Sequence, residues 1–515
     1  MSADYDIAIV GSGFGGSLLA IVARRVGRSV ILLERGRHPR FAIGESTTPL
    51  SNLLLEELSV RYDLPGIRQL CKWGSWQAAY PDVTCGLKRG FTFYYHRPGV
   101  RAAVDPDRQD QLLVAASPHD GIADTHWYRA DVDALFVREA LAAGIDYLDE
   151  AQLKSASEEG DQVRLKGLRH GQSFAVSARF VVDATGPRGF LHRALALPEA
   201  TLPDFPATEG LYTHFRGVRG LDSSAGVPYP VDDAAVHHIF DGGWIWVLRF
   251  ANGITSAGVA ATKEAASGLE FRAGEPAWQQ LIQRFPTIHE QFAPALPERP
   301  FVHAPRLSFR SGILAGEQWA LLPSAAGFVD PLLSTGFPMT LLGISRLAEI
   351  IERDWASARW PPALAGYAAS TDADLLATAR LLGSLYASMS DFPLFIGLSM
   401  IYFAAAIFSE TSRRLNKPHL ASSFLLHDHP GFEIQPILDR VRQLRNPGES
   451  QTLIGDIVRA IEPFNLAGLG EQSRRNWYPV DAADLFRNAW KVDASRDEIV
   501  RLLDRCGFSS AAACQ

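Results

Sequence analysis

The sequence predicts an α/β fold that combines a βαβ nucleotide-binding unit, an antiparallel sheet and a helical C-terminal region. Residues 1–60 alternate between an apolar strand, a glycine-rich turn, a helix and a second strand. Residues from about 200 to 310 are rich in aromatic and β-branched side chains, which favour antiparallel strands. From about 370 onward the pattern is helical. We therefore expect 1–366 to form a nucleotide-binding module with the sheet interleaved in it, and 367–515 to form a mostly helical region packed on the core.

The composition is that of a globular protein, with 47% apolar and 21% charged residues. A net charge of −7 and a pI near 6.1 give no basic excess for nucleic acid or an anionic membrane surface. The start MSADYDIAIVGSG has no basic segment and no cleavage site, so we expect a cytoplasmic protein. The four cysteines form no CxxC pair and are expected to stay unpaired in a reducing cytosol; they are Cys71, Cys85, Cys506 and Cys514.

One apolar segment tests the expectation of a soluble chain. Phe392 to Ser409 is 18 residues long and carries no charge, which is at the lower edge of a membrane span. Pro393 stands at its start and Asp391, not a basic residue, precedes it. We favour a buried helix and no membrane span, with a lipid-contacting helix as the alternative.

The first strand runs into a GxGxxG motif with a helix after it. Gly11 allows the tight turn, Gly13 lets the backbone approach a pyrophosphate, and Gly16 lets the helix pack closely on the strand. Glu34 ends the second strand, 23 positions after Gly11, and can accept hydrogen bonds from ribose hydroxyls. The cofactor-binding residues predicted in this unit are Gly11, Gly13, Phe14, Gly15, Gly16, Glu34 and Arg35.

FAD and NAD both bind such a unit, and two later segments favour FAD. The strand ARFVVDATG at 178–186 resembles the second cofactor-facing strand of flavoproteins of the glutathione reductase type. GESTTP at 44–49 follows the acidic residue at the spacing of one branch of those proteins. A second βαβ fingerprint for a nicotinamide dinucleotide is absent from the sequence, so reduced FAD is expected from a separate flavin reductase. These segments add Glu45, Ser46, Thr47, Ala184 and Gly186 to the predicted cofactor site.

Six motifs in the same order together resemble the flavin-dependent halogenases and their near relatives, the geranylgeranyl-reductase-type flavoproteins. The resemblance covers about residues 4–350. It implies a glutathione-reductase-type FAD-binding Rossmann domain with an inserted antiparallel β-sheet substrate domain and a helical C-terminal region. The motifs are VGSGFGGSLLA, GESTTP, LKRGFTFYYH, DATGPRGFLHRAL, GGWIWVLRF and AAGFVDPLLSTGFP.

The resemblance gives Lys88, in LKRGFTFYYH, the catalytic role. In the family, reduced FAD, O2 and halide form hypohalous acid, and a lysine at this place relays electrophilic halogen to an electron-rich carbon. An ammonium can polarise the oxidant, and burial can lower the lysine pKa and free the amine. The alternative is that Lys88 and Arg89 form a solvated turn beside an edge strand.

The loop PLLSTGFPM, residues 331–339, is implied to lie on the flavin ring. Asp330, Pro331 and Gly336 are therefore predicted cofactor residues, and the backbone N–H groups of Thr335 and Gly336 are predicted to bind chloride or bromide. N–H groups ahead of a helix suit an anion without any charged side chain. Alternatively, the turn only seats the flavin ring.

Three departures from the family pattern affect the expected chemistry. The signature WxWxIP appears as Trp244-Ile245-Trp246-Val247-Leu248-Arg249, so Trp244, Trp246 and Arg249 are predicted to line the substrate pocket, with core packing as the alternative for the tryptophans. The usual Gly-Asp is Pro323-Ser324, a loss expected to weaken FAD binding by roughly 1–2 kcal/mol. Tryptophan halogenases carry a glutamate where this chain has Leu333, which cannot act as a base, so tryptophan is not expected as the substrate.

Several other polar and aromatic side chains fall outside the predicted site. Six histidines show neither an HxxxH pair nor a carboxylate at ligand spacing, so no metal site is expected; they are His96, His119, His126, His214, His237 and His238. Three aromatic residues could line a substrate pocket, but core packing is favoured for them; they are Tyr94, Tyr95 and Trp127.

The function predicted from these motifs is a flavin-dependent halogenase acting on an electron-rich aromatic small molecule. The alternatives are an FAD-dependent monooxygenase or a reductase of isoprenoid or lipid double bonds on the same scaffold, and a flavin-binding relative without activity. The expected partners are a small-molecule substrate and a flavin reductase, with no nucleic acid; a homodimer is compatible with the sequence. The substrate, the halide preference and the regiochemistry stay open.

Overall fold

The computed structural model describes residues 4–102, 107–221, 226–444 and 447–508, so Cys514 lies outside the described residues. Its strands are β1 (Tyr5–Val10), β2 (Val30–Leu33), β3 (Cys85–Lys88), β4 (Gly90–Tyr95), β5 (Gln111–Ala115), β6 (Asp124–Trp127), β7 (Asp146–Leu148), β8 (Ala151–Glu159), β9 (Gln162–Arg169), β10 (Gln172–Asp183), β11 (Thr208–Arg216), β12 (Ala235–Phe240), β13 (Gly243–Arg249), β14 (Ile254–Thr262), β15 (Leu296–Pro297), β16 (Val302–Ala304), β17 (Phe309–Arg310), β18 (Trp319–Leu321), β19 (Gly327–Phe328) and β20 (Trp477–Tyr478).

Helices connect these strands and make up most of the C-terminal region. They are α1 (Phe14–Arg25), α2 (Pro49–Arg61), α3 (Pro65–Arg68), α4 (Trp73–Ala79), α5 (Arg129–Ala142), α6 (Phe190–Ala194), α7 (Glu275–Gln283), α8 (Pro286–Phe292), α9 (Pro323–Ala326), α10 (Gly336–Arg353), α11 (Trp360–Ala387), α12 (Phe392–Arg414), α13 (Gln435–Gln443), α14 (Ser450–Ile461), α15 (Ala482–Arg487) and α16 (Arg496–Arg505).

The βαβ opening builds the first sheet, whose strand order is β7-β2-β1-β10-β9-β8, with β18 paired to β10. Strands β7, β2, β1, β10 and β18 run parallel, and β10, β9 and β8 form an antiparallel meander. The four residues of β2 are all buried, as expected for a parallel strand covered on both faces. The carboxyl ends of β1 and β10 lie side by side, with Val10 opposite Asp183, so the loops that follow them meet at one edge.

The second sheet has the order β15-β11-β14-β13-β12-β4-β5-β20, with β16 paired to β11. This sheet includes strands from outside the range of about 200–310 that the sequence indicates. Strand β12 pairs in parallel with β4, so β4 and β5 join the sheet from residues before 120, and β20 joins from the C-terminal region. Pairings between segments so distant in the sequence carry no local signal.

The C-terminal helices pack on both sheets, and the predicted boundary near residue 366 falls inside α11. That helix begins at Trp360, followed by two prolines suited to its first turn, and the Trp360 ring contacts Phe180 of β10 at 4.9 Å. Helix α12 is long and apolar enough to cross a membrane, yet 83% of its most apolar stretch is buried inside the structure. A buried helix, as favoured from the sequence, is what the structure contains.

Candidate functional site

A cavity of about 500 Å³ opens where the loops after β1 and β10 meet the second sheet. Its wall joins the glycine-rich turn and GESTTP to the loop before α10. The predicted site residues found in this wall are Gly13, Phe14, Gly15, Gly16, Glu45, Ser46, Ala184, Gly186, Trp244, Trp246, Asp330, Pro331 and Gly336.

The glycine-rich turn is held by close backbone approaches that exclude any side chain. Gly11 has φ of +101°, and a Cβ there would lie 2.7 Å from the Ala184 carbonyl oxygen. A Cβ on Gly16 would lie 1.9 Å from the Gly11 carbonyl oxygen, so α1 can approach the strand only through a glycine. The first turn of α1 thereby presents backbone N–H groups to the cavity, apart from that of Phe14, which donates to Asp133.

Glu34 stabilises this turn, and Arg35 lies outside the site. Glu34 accepts from the Ser12 N–H at 3.1 Å and from the Gly36 N–H at 2.8 Å. Burial alone would raise the pKa of Glu34, but Arg40 and these backbone donors hold it below its ordinary value. Neither Glu34 nor Arg35 is in the cavity wall; Arg35 is exposed, whereas Arg40 reaches the wall and is a residue that the sequence reasoning missed.

Arg129 is a second cation in the wall that was not anticipated. Its Nη1 donates to the carbonyls of Ile43 and Gly44, both at 2.9 Å. Its Nε and Nη2 bind the Asp133 carboxylate at 2.9 Å, and Asp133 also accepts from the Phe14 N–H at 3.1 Å. Arg129 therefore fixes GESTTP against the glycine-rich turn.

Helix α5 explains why this arginine was overlooked. The sequence suggests a helix over 130–144 capped by Asp131, but the helix begins at Arg129 with Tyr128 as its N-cap. Asp131 lies in the first turn and accepts from the Thr84 N–H at 3.1 Å. Arg129 and Asp131 both bind segments that are distant in the sequence, so the local N-capping rule does not predict where α5 begins.

The GESTTP segment uses its side chains to bind neighbouring strands. Glu45 accepts from Ser256 Oγ at 2.6 Å and lies 2.8 Å from His214 Nε2. Thr47 donates from Oγ1 to the Thr125 carbonyl at 2.8 Å, so it anchors the segment to β6 and is not in the cavity wall. Ser46 lies between these two and faces the cavity.

The loop before α10 contains two consecutive residues in the left-handed region, Leu333 (φ +63°) and Ser334 (φ +55°). Non-glycine residues rarely adopt this conformation, and strain of this kind concentrates at functional sites. Thr335 is the N-cap of α10 and is itself buried, and Gly336 begins the helix. A Cβ on Gly336 would meet nothing within 4 Å, so this end of α10 is open to the cavity.

Asp330 links this loop to the tryptophan signature. Trp244 Nε1 donates to Asp330 Oδ1 at 3.1 Å, and the Tyr386 hydroxyl donates to Oδ2 at 2.9 Å. Leu332 N–H also donates to Oδ1, at 3.0 Å. Burial raises the pKa of Asp330 to about 7, in spite of these three donors. Tyr386 comes from α11 and carries no signal in the local sequence.

Arg249 is not brought to the cavity, in contrast to Trp244 and Trp246. It pairs with Asp232 at 3.1 Å and donates to the Val218 carbonyl at 3.0 Å. It follows Leu248 at the end of β13 and points to the opposite face of the sheet. Its expected place in the substrate pocket is therefore corrected.

The other three aromatic residues pack against the core, with Trp127 buried and Tyr94 and Tyr95 half-buried. Trp127 contacts the rings of Phe14 and Phe337 at 5.4 and 5.0 Å. Tyr95 stacks on Phe392 at 5.3 Å. Tyr94 stacks on His238 at 6.3 Å. Core packing, the favoured interpretation, describes all three.

Lys88 is fully buried at the end of β3, so the solvated turn considered from the sequence is excluded. Its Nζ donates to Ser46 Oγ at 2.9 Å and to the Thr47 carbonyl at 2.5 Å, and lies 3.9 Å from the centre of the Phe91 ring. Burial lowers its pKa, and the Asp124 carboxylate opposes that effect. Lys88 thus stands directly behind Ser46, one residue from the cavity.

Two comparisons of sequence identify the family of this chain. A family model described as tryptophan halogenase matches residues 123–391, which is more than half of the chain. The chain belongs to the family of flavin-dependent halogenases. Monodechloroaminopyrrolnitrin halogenase PrnC of Pseudomonas fluorescens is 30% identical over 353 residues, which cover 67% of this chain and 61% of PrnC. Tetracycline 7-halogenase of Kitasatospora aureofaciens is 29% identical, over 78% of this chain and 73% of that enzyme.

Solved structures of the halogenase family share the fold. The crystal structure of halogenase PltM in complex with phloroglucinol and FAD is 25% identical, with a TM-score of 0.82, over 92% of this chain and 99% of PltM. The predicted family and fold class are confirmed, and a flavin-dependent family implies FAD as the cofactor. The donors in the cavity fit such a group, because the free N–H groups of α1 lie beside two arginines, Arg40 and Arg129.

Proposed function

We propose that the chain is a halogenase that uses reduced FAD, O2 and chloride or bromide to halogenate an electron-rich aromatic substrate. When bound, reduced FAD supplies with O2 the oxidising power that turns halide into hypohalous acid. The observation that carries the proposal is the position of Lys88, which is fully buried and bonded to Ser46 of the cavity wall. Burying a lysine without such a function would destabilise the folded state, because removing its amine from water costs free energy.

The cofactor would be held by residues of the first sheet and its loops. The first turn of α1, with Arg40 and Arg129, suits the pyrophosphate. Ala184 and Gly186 lie on the other side of the same cavity. Ser324, which replaces the family aspartate, is also in the wall and offers a hydroxyl without charge.

Halide would be held by the N–H groups of Thr335 and Gly336. The start of an 18-residue helix carries partial positive charge and free donors, and Gly336 leaves the approach open. Backbone donors bind an anion without forming a salt bridge, so the halide remains nucleophilic. The same donors could contact the flavin ring, and the halide dependence of turnover distinguishes the two roles.

Lys88 would act on the hypohalous acid. Its ammonium donates a hydrogen bond to the oxygen of that acid, and halogen passes to a ring carbon of the substrate. The carbon–halogen bond forms as the halogen–oxygen bond breaks, and the ring proton and hydroxide leave as water. Because burial lowers the Lys88 pKa, the amine form is also accessible for transfer through nitrogen.

The substrate would be a phenol, a pyrrole or another activated ring, and not tryptophan. Leu333 is fully buried and cannot supply the base that tryptophan halogenases place before Ser-Thr-Gly. The relatives support an activated ring: PltM was solved with phloroglucinol, PrnC is a monodechloroaminopyrrolnitrin halogenase, and a third relative halogenates tetracycline. Reduced FAD would come from a separate reductase in the cytosol, where the three described free cysteines stay reduced.

The test is turnover of purified protein with FAD, a flavin reductase, NADH and bromide against phloroglucinol, phenol, pyrrole-2-carboxamide and tryptophan. We expect a brominated phenol or pyrrole by mass spectrometry, and no bromotryptophan. Lys88→Met should lose the product and still bind FAD. Hydroxylated or reduced product that forms equally without bromide would contradict the proposal and favour a monooxygenase or reductase.

A further inference from the structure

Asp124 lies directly across the β3–β6 pair from the proposed catalytic lysine. The two strands are antiparallel, and Lys88 and Asp124 are register partners at the end of the pair. Side chains of register partners point to the same face, so both charged groups lie on one side of the pair. No direct ion pair joins these two residues, both of which the structure describes, and their attraction acts over a longer distance through the buried, low-dielectric interior. Both residues are buried, with Asp124 4% exposed and Lys88 0%.

The Asp124 carboxylate is only half satisfied by the protein. Asn52 of α2 donates from Nδ2 to Asp124 Oδ1 at 2.7 Å. Oδ2 is buried, and no donor among the described residues reaches it. A buried carboxylate oxygen without a donor is unfavourable unless a neighbouring cation or a bound water compensates it. Lys88 is the cation that acts most strongly on Asp124.

Other titratable groups around the pair do not replace this interaction. His126 on β6 and His237 on β12 are fully buried, and burial lowers the pKa of each to about 3, so they are neutral. On α12, Tyr402 is neutral because burial raises its pKa. Glu410 and Arg414, also on α12, act on Asp124 and pair with each other at 2.7 Å.

We propose that Asp124, anchored by Asn52, is a positioning residue for Lys88: its carboxylate is the counter-charge that keeps the Lys88 ammonium protonated and directed at Ser46. Its catalytic consequence rests on the proposed function of Lys88. Two ammonium hydrogens are already directed at Ser46 Oγ, in the cavity wall, and at the Thr47 carbonyl. The Asp124 carboxylate, bonded to Asn52 of α2, stabilises the positive charge of this ammonium.

The direct measurement is the titration of Lys88 by NMR of the full chain labelled with ζ-15N lysine. The chain has seven lysines, so the spectrum is simple, and Lys88→Met assigns the signal. In Asp124→Asn we expect the Lys88 signal to titrate about one or more pH units lower than in the wild type. Asn52→Ala should also lower the pH at which Lys88 titrates, but by a smaller amount, because Asp124 then loses the donor that favours its charged form.

A matched control is Asp374→Asn. Asp374 is a buried aspartate of α11 that pairs with Arg346 at 2.7 Å, and its replacement should leave the Lys88 titration unchanged. In turnover, the limb of the pH–rate profile that belongs to Lys88 should move to lower pH in Asp124→Asn, with the FAD dissociation constant unchanged. A uniform loss of rate without this movement would indicate a merely structural role and overturn the proposal.

The outcomes separate this proposal from the function on which it rests. If Asp124→Asn does not fold, an unchanged Lys88 titration in Asn52→Ala overturns the proposal by itself. If the wild type halogenates, but Lys88 titrates in Asp124→Asn and in Asn52→Ala as it does in the wild type, the function stands and the pairing fails. If Lys88 titrates as expected but no substrate is halogenated, the pairing stands and the function fails.

Discussion

Lys88 Nζ lies 2.9 Å from Ser46 Oγ, and Ser46 separates this amine from the cavity. The hydrogen bond joins β3 to the GESTTP segment, which also carries Glu45 in the cavity wall. A reactive species formed in the cavity would therefore meet Ser46 before Lys88. This arrangement makes the serine a sensitive probe of the lysine's role.

We predict that Ser46→Ala lowers the yield of halogenated product per FAD reoxidised by roughly tenfold, the effect of about 1.4 kcal/mol from one charge-assisted hydrogen bond. The rate of flavin reoxidation itself should change little. Ser59→Ala is the control, since Ser59 is a buried serine of α2, the helix that follows GESTTP, and has no side-chain hydrogen-bond partner among the described residues. An unchanged yield in Ser46→Ala would show that this bond does not guide transfer.

Arg129→Lys should weaken FAD binding. A lysine cannot reproduce the two bonds to Asp133 together with the bonds to the Ile43 and Gly44 carbonyls. The loss of one or two such bonds corresponds to about 1.5–3 kcal/mol, or a tenfold to hundredfold rise in the FAD dissociation constant. Arg138→Lys, an exposed position on the same helix, is the control for fluorescence titration with FAD. Equal dissociation constants for the two variants would contradict the assigned role.

Gly336→Ala should preserve the fold and raise the KM for bromide. A methyl group here meets no atom within 4 Å, but it would stand where an anion approaches the start of α10. Gly366→Ala in α11, also in open space, is the matched control and should leave the bromide KM unchanged. Steady-state turnover over a bromide series makes the comparison. A bromide KM in Gly336→Ala equal to that of the control would place the halide elsewhere.

Asp330→Asn should remove a pH dependence of stability. The folded state holds the pKa of Asp330 at about 7, above the ordinary value of 3.8, so its favourable contribution is full below the ordinary value and is lost as the pH rises through 7. The free energy of unfolding of Asp330→Asn minus that of the wild type should therefore grow between about pH 4 and pH 7, on the order of 4 kcal/mol. Urea unfolding of FAD-free protein measures it, and a pH-independent difference would contradict the assignment.

The sequence predicted those parts of the site that depend on local chain geometry. The close approaches at Gly11 and Gly16 follow from one motif, and the helix after Thr335 follows from its apolar period. The residues that flank Lys88 predicted it as a site residue. Its burial and its hydrogen bonds depend on the fold and could not be predicted in this way. Glu34 was expected at a ribose, and the structure directs its oxygens to backbone donors of its own loops.

The residues that were missed act across long stretches of chain. Asp124 meets Lys88 only through the β3–β6 register, and Tyr386 reaches Asp330 from a helix 56 residues away in sequence. Arg129 is the first residue of α5, one position before the helix that the sequence predicts. Arg249 was expected in the pocket because it follows the tryptophans, but strand alternation and Asp232 hold it on the other face.

The most direct test of the central claim is anomalous diffraction from a crystal of the wild-type protein soaked with FAD and bromide. The account predicts one bromide peak within hydrogen-bond distance of the N–H groups of Thr335 and Gly336, beside the flavin ring and on the cavity side of Ser46. Bound FAD with no bromide peak at these donors, at a bromide concentration that supports turnover, would contradict it.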